Sequence, residues 1–266
     1  MAGPWQHHGA PVLVDLRLYL AGRLTLEVAG KVAFDEGGMR GRQTRLAFAY
    51  LACHRERPVA REELAEALWP EEMPAAWESG LNALVSRLRT LIAHPLPATA
   101  GMGLRRTADG YRLLTPGTVW VDLDSATRSL DEAETAGRAG RLRDAFGPAV
   151  VASSIARRPF LAGCSGPWVD GVRDRLERQL LRALDCLARV WVATGEPGLA
   201  VEASSEAVAI DPFRESSHLL LMQAHVAAGN PAEALRAYAA LRDLLARELG
   251  AEPAPELQQL YRRLVR

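Results

Sequence analysis

Arg87, Arg89, Arg105, Arg106 and Arg112 stand in a stretch whose one acid is Asp109; no other Asp or Glu occurs between Leu84 and Leu113. Each guanidinium is a rigid fork of donors that pairs bidentately with phosphate oxygens or with the guanine edge. In "ESGLNALVSRLRTLI" the spacing puts Ser79, Asn82, Ala83, Ser86 and Thr90 on one helical face, with Arg87 on one flank and Arg89 on the other. Small polar side chains let a helix come close to a surface, and arginines on both edges reach phosphates on the two sides of a groove. Trp77, Leu81, Leu84, Val85, Leu88, Leu91 and Ile92 make the opposite, apolar face. The chemistry these residues suit is noncovalent, charge-assisted hydrogen bonding to a polyanion. Any surface helix has a polar stripe opposite an apolar one, so this helix alone fits plain packing equally well.

Other reactive residue types do not assemble. Cys53, Cys164 and Cys186 are too few and too scattered for a disulfide framework or a zinc site. "GCSG", with Cys164 and Ser165, misses the G-x-S-x-G elbow because Pro167 takes its last position, and it falls between helices, so it reads as a loop. His7 and His8 lack partner ligands, and His218 and His225 lie seven apart rather than at metal-binding i,i+4 spacing. There is no GxxxxGK[ST] loop, and "GMG" is too short for a dinucleotide site. No metal, no cofactor and no enzymatic activity are expected.

The elements that must hold the arginines can be read from periodicity. "DLRLYLAGRLTLEVAG" alternates as two short strands joined at Gly22, and "KVAF" adds a third. "GRQTRLAFAYLACH" and "REELAEALW" are helical, the second stopped by Pro70, and Pro74 stands near the start of the arginine-flanked helix. Pro95 and Pro97 mark a loop, and Asp109-Gly110 between alternating runs signals a hairpin. Strands, three helices and a hairpin in that order make a winged helix-turn-helix, whose third, arginine-flanked helix would occupy a DNA major groove and whose hairpin would reach the adjacent minor groove or phosphates.

From about Val121 strand signals vanish. "VATGEPGLAVEAS" and "VAAGNPAEALRAY" align at a spacing of about 34 residues, the tetratricopeptide period. Gly195 matches Gly229, Pro197 matches Pro231 and Ala200 matches Ala234: a helix end, a helix start and a close helix contact. "AIDPF" breaks two helix pairs, and "AGRAGRLRDAF" is a degenerate earlier copy. The 266 residues carry no formal net charge, with Lys31 the one lysine. No apolar run reaches the length of a membrane span and the start lacks a signal-peptide pattern, so a cytoplasmic location is expected.

"PVAREELAEALWPEEMP", "LNALVSRLR" and "ADGYRL" resemble the OmpR-type winged helix of the Streptomyces antibiotic regulatory protein (SARP) family. "DPFRESSHLLLMQAHVAAGNPAEALRAYAALRDLLARELGAEPAPELQQLY" is similar to that family's bacterial transcriptional activator domain. The resemblance implies an α+β winged helix-turn-helix over residues 12–115, followed by an all-α tetratricopeptide-like domain over 120–266. It implies a transcriptional activator that binds promoter direct repeats in double-stranded DNA as side-by-side protomers, a homodimer at least on DNA. Recruitment of RNA polymerase holoenzyme, to control a biosynthetic gene cluster, is implied as well. On this reading Arg42, Gln43 and Arg45 hold phosphate at the start of the first helix. Ser79, Asn82, Ser86, Arg87 and Arg89 lie in the groove, and Arg105, Arg106 and Arg112 lie on the wing. Glu71 and Glu72 fall in the loop that resembles the polymerase-contacting segment. Ala60 replaces the family's usual Ser or Thr at the start of the second helix, and Glu78 stands where family members often carry arginine. The alternative is a tetratricopeptide-like protein-interaction module with weakened or lost DNA binding, favoured by Glu78 and by the neutral total.

Overall fold

Leu16, Leu18 and Leu20 are fully buried while Arg17 between them is exposed, the period-two signature of a strand with one face on a core. The computed structural model describes residues 15–94 and 101–266. His7, His8, Pro95, Pro97 and the start of the 12–115 range lie outside the described residues. Strands β1 (Leu16–Tyr19), β2 (Thr25–Val28) and β3 (Lys31–Asp35) form an antiparallel meander. The β2–β3 turn is Ala29-Gly30, both at positive φ (49° and 74°), the pairing of dihedrals that suits the right-handed twist of a two-residue hairpin.

A fourth strand, β6 (Trp120–Val121), completes the sheet in the order β3-β2-β1-β6 and runs parallel to β1. Periodicity misses it, because two residues are too short to alternate. Directly after it, the fully buried carboxylate of Asp122 accepts the backbone N–H groups of Leu20 (2.9 and 3.0 Å) and Ala21 (2.9 Å). The chain returns to this edge once more: Gly22 N–H donates to Pro159 at 2.7 Å, and Ala21 bridges Phe160.

Helix α1 (Arg42–Cys53) is buried almost all round, with Leu46, Phe48 and Leu51 among small Ala47, Ala49 and Ala52, so it is the core helix of this half. Phe48 meets Phe34 edge-on at 5.4 Å. Helices α2 (Arg61–Leu68) and α3 (Trp77–Ala93) follow, then the hairpin β4 (Gly103–Thr107) and β5 (Gly110–Leu114). This is a winged helix-turn-helix. Helix α3 starts three residues past Pro74, whose carbonyl accepts the Trp77 N–H at 2.9 Å.

Ala60 gives α2 no capping side chain, and Glu63 supplies the missing order. Its carboxylate accepts Ala60 N–H (3.4 Å), Tyr50 O–H (2.8 Å) and two Arg57 donors (2.9 and 2.5 Å). The Arg57 guanidinium, helped by Tyr50, holds the Glu63 carboxyl down at about 2 against partial burial. A depressed carboxyl stabilises the fold above its unfolded value and loses that contribution as pH falls through the folded one. The wild-type protein should therefore exceed a Glu63→Gln variant in denaturant stability at neutral pH. The gap should close between about pH 4.5 and pH 2. A gap constant across that window would show that Glu63 acts by packing alone.

The second half is all helix: α4 (Asp122–Arg138), α5 (Leu142–Ala156), α6 (Pro167–Thr194), α7 (Pro197–Ile210), α8 (Glu215–Ala227), α9 (Pro231–Leu249) and α10 (Pro255–Leu264). The tetratricopeptide-like register is visible in its joints. Gly195 and Gly229 adopt positive φ (84° and 76°), and the following N–H groups reach back six residues less one, Glu196 to Trp191 and Asn230 to His225. Ala200 and Ala234 are fully buried. Gly140 repeats the same joint, with Arg141 bonded to Ala136, although Pro148 falls inside α5 rather than opening it. On α6 the buried Asp185 carboxylate accepts Arg214 (2.8 and 3.2 Å), Ser216 (3.1 Å) and Ser217 (2.9 Å) at the break before α8. Among the described residues no helix is long and apolar enough to cross a membrane.

By compactness the chain forms two units. One holds Asp122 and the described residues before it together with Pro159–Val172, and the other holds Leu123–Arg158 with Arg173–Arg266. The ranges 12–115 and 120–266 read from sequence assign β6, Asp122 and Pro159–Val172 to the helical domain. The pairings of β6 with β1 and of Phe160 with Ala21 are what draw them into the first unit.

Candidate nucleic-acid interface

Helix α3 keeps Leu81, Leu84, Val85, Leu88 and Ile92 buried and leaves Ser79, Asn82, Ala83, Ser86, Arg87, Arg89 and Thr90 exposed. Trp77 and Leu91, read as core, are half-buried at the margins. The Ser79 and Thr90 hydroxyls donate to the helix's own carbonyls at Ala76 (2.9 Å) and Ser86 (3.2 Å), which leaves their lone pairs outward.

The wing closes one edge of this stripe. Asn82 accepts the Tyr111 hydroxyl at 3.1 Å, and Arg89 Nε donates to the Leu104 carbonyl at 3.1 Å. Asn82 and Arg89 are thus held to the hairpin, and Arg87 stands alone on the far flank. A donor bonded to a carbonyl does not lose its charge, so Arg89 keeps its remaining N–H groups for an anion. Tyr111 is a positioning residue that sequence reasoning missed; on the page of the sequence it is only another apolar strand position.

The hairpin is docked from behind by backbone. Val59 and Tyr111 exchange N–H···O bonds of 2.8 and 2.9 Å, adding Val59, two residues before α2, as a third strand beside β5. Gly110 makes that approach possible: at φ 144° its missing Cβ would sit 2.0 Å from the Val59 oxygen. The Asp109-Gly110 signal therefore marks a real hairpin for a different reason. Neither turn residue, Ala108 or Asp109, has positive φ, and the glycine serves close packing rather than the turn.

On the wing, Arg105 lies directly opposite Arg112, and Arg106 opposite Tyr111. Like charges facing each other across a strand pair destabilise it by tenths of a kcal/mol. An anion between them removes that cost. Arg112 is half-buried and donates to the Arg55 carbonyl at 3.3 Å, whereas Arg105 and Arg106 are exposed.

At the first helix the expected cluster splits. Arg42 is exposed, Gln43 half-buried, and Arg45 is engaged by Glu36 in an ion pair. Among the described residues Arg42, Arg87, Arg105 and Arg106 make no ion pair. Glu78 faces α2 instead: its carboxylate lies 3.5 Å from Arg61, whose guanidinium also stands 5.7 Å over the Trp77 ring. The Glu78 end is solvent-exposed, so the pair contributes little to stability, but it neutralises the carboxylate that sequence reading set against DNA contact. Glu71 and Glu72 are exposed in the α2–α3 connection beside the exposed Met73. Among the described residues no group of His, Cys, Asp and Glu side chains is placed to hold a metal ion.

Comparison with known proteins adds four findings. Residues 121–265 match the family model described as bacterial transcriptional activator domain. The chain is 32% identical over 225 residues to regulatory protein AfsR of Streptomyces coelicolor, covering 84% of this chain but 22% of that protein. It is 27% identical over 260 residues to transcriptional regulator RedD of the same organism, covering 90% of this chain and 70% of RedD. Among solved structures, Mycobacterium tuberculosis EmbR in complex with a low affinity phosphopeptide aligns with a TM-score of 0.81 at 25% identity, over 95% of this chain and 65% of that one.

Proposed function

This chain belongs to the bacterial transcriptional activator domain family, among transcriptional regulators of the SARP type rather than enzymes, and from that premise we propose that it activates transcription by binding promoter DNA. In this reading residues 12–115 bind double-stranded DNA at direct repeats, as side-by-side protomers. Helix α3 enters the major groove through Ser79, Asn82, Ser86, Arg87 and Arg89. The wing reaches neighbouring phosphates or the minor groove through Arg105, Arg106 and Arg112. Arg42, with Gln43, contacts phosphate at the start of α1, and Arg45 needs release from Glu36 to join it. Glu71 and Glu72 meet RNA polymerase holoenzyme, residues 120–266 serve the activator role, and the protein works in the cytoplasm.

The observation that carries the reading is the set of ion-pair-free arginines on one polar helix face and its adjoining wing, with Glu78 turned to Arg61. Site selection from random DNA followed by mobility-shift titration over a range of salt tests it. Arg105→Ala and Arg87→Ala should each weaken binding. If each contacts phosphate, each should also reduce the log–log salt slope by about 1. Slopes and affinities unchanged in both variants would remove α3 and the wing from the interface. Capture of a protein partner with no DNA retained at low salt would favour the interaction-module reading instead.

A further inference from the structure

Helices α4, α5 and α6 pack tightly through Ala133, Ala149 and Cys186 and again through Ala136, Ala145 and Val190. Beside these contacts they part around a cleft of about 290 Å³. Its apolar wall is Ala133, Leu142, Ala145 and Cys186, and Gly137 leaves the middle open. The rim is cationic. Glu134 is occupied by a bidentate Arg182 (2.7 and 2.7 Å) and lies 3.6 Å from Arg138. That leaves an excess of positive charge on Arg138 and on Arg189, which makes no ion pair among the described residues. Burial pushes the Cys186 thiol up, so it lines the wall as a neutral, weakly polar group.

We infer that this cleft binds a small amphipathic organic anion, its apolar part against Ala133, Leu142, Ala145 and Cys186 and its acidic head at Arg138 and Arg189. Size and chemistry agree: the volume is at the small end for small-molecule sites, and one apolar wall with a few convergent polar groups is their usual make-up. The inference does not depend on DNA binding, and it is tested on the free protein.

The probe is 8-anilinonaphthalene-1-sulfonate, with N-phenyl-1-naphthylamine as its uncharged analogue. The sulfonate should bind the wild-type chain at one site, about tenfold more tightly than the amine, since a charge-assisted contact is lost with the sulfonate. Arg189→Gln should weaken sulfonate binding about tenfold and leave the amine unaffected. Gly137→Leu should abolish both. A Cβ at Gly137 meets nothing within 4 Å, and leucine is a better helix former than glycine, so this variant fills the cleft without unfolding the helix. Bound sulfonate should also slow alkylation of Cys186, followed by peptide mapping. Equal sulfonate binding by wild type and Gly137→Leu, equal binding of the two probes, or no sulfonate binding would each overturn the inference.

Discussion

A Gly110→Ala variant should lose DNA binding almost completely while the helical repeats stay folded. The added Cβ would lie 2.0 Å from the Val59 oxygen and 2.8 Å from its carbon, both backbone atoms. No side-chain rotation can relieve that. The residue also sits at φ 144°, which L-amino acids rarely adopt. Strained backbone and clash together should cost the first unit roughly 3–5 kcal/mol. The hairpin's easiest escape is to leave Val59, breaking the 2.8 and 2.9 Å backbone pair. With it go the Tyr111 hydroxyl that orients Asn82 and the Leu104 carbonyl that anchors Arg89. One methyl group thus disorders both halves of the proposed interface. Hydrogen exchange should show the Val59 and Tyr111 amides exposed, with amides of α8 and α9 still protected. Wild-type protection at Tyr111 would refute the docking described for the wing.

The second large effect belongs to Asp185. Replacing it with alanine should destabilise the helical unit by about 3–5 kcal/mol, the usual cost of removing one member of a buried ion pair. The Asp185 side chain is 5% exposed and Arg214 is 30% exposed, so the arginine is left poorly hydrated when its partner goes. Ser216 and Ser217 lose their acceptor in the same step. Arg214 is also where α8 begins, its carbonyl accepting the N–H groups of Ser217 and His218. The carboxylate therefore fixes the joint between two helix pairs, and its charge favours the helix N-terminus nearby. Asp185→Asn, which keeps an acceptor oxygen, should cost less. Denaturant unfolding of both variants distinguishes these cases; equal, small losses would mean that the joint is held by packing.

Residues that repeat at a fixed spacing were readable without a structure. Leu16, Leu18 and Leu20 declared a strand, and Gly195 with Gly229 declared helix ends, because each follows a local rule of backbone or burial. The apolar stripe of α3 was legible for the same reason. What escaped was set by partners distant in the chain. No periodic rule pairs Arg45 with Glu36, and none shows that the Nε of Arg89, a groove arginine on the sequence reading, is anchored on the Leu104 carbonyl. Glu78 reads as a carboxylate aimed at DNA, yet Arg61 claims it from the neighbouring helix. β6 was invisible since its two residues become a strand only by pairing with β1, far upstream. The alanine at position 60 reads as a lost cap, and the compensation is Glu63, whose carboxylate takes the Ala60 N–H while a tyrosine and an arginine outside the helix hold it in place.

The closing of the sheet by β6 has a consequence for the order of events during synthesis. A ribosome that has released residues 1–115 has delivered α1, α2, α3 and the wing but neither the strand that flanks β1 nor the carboxylate that binds Leu20 and Ala21. Phe160, which bridges Ala21, follows some forty residues later. At ~5–20 residues per second the edge of β1 stays uncovered for several seconds. The nascent winged helix is then a template for strand addition from other chains. Helices α4 and α5 must emerge before the first unit is finished, so the two halves are translated in an overlapping sequence. A fragment cut at residue 115 would hold that unfinished state indefinitely, whereas one carried through Val172 would supply every strand and side chain that seals it.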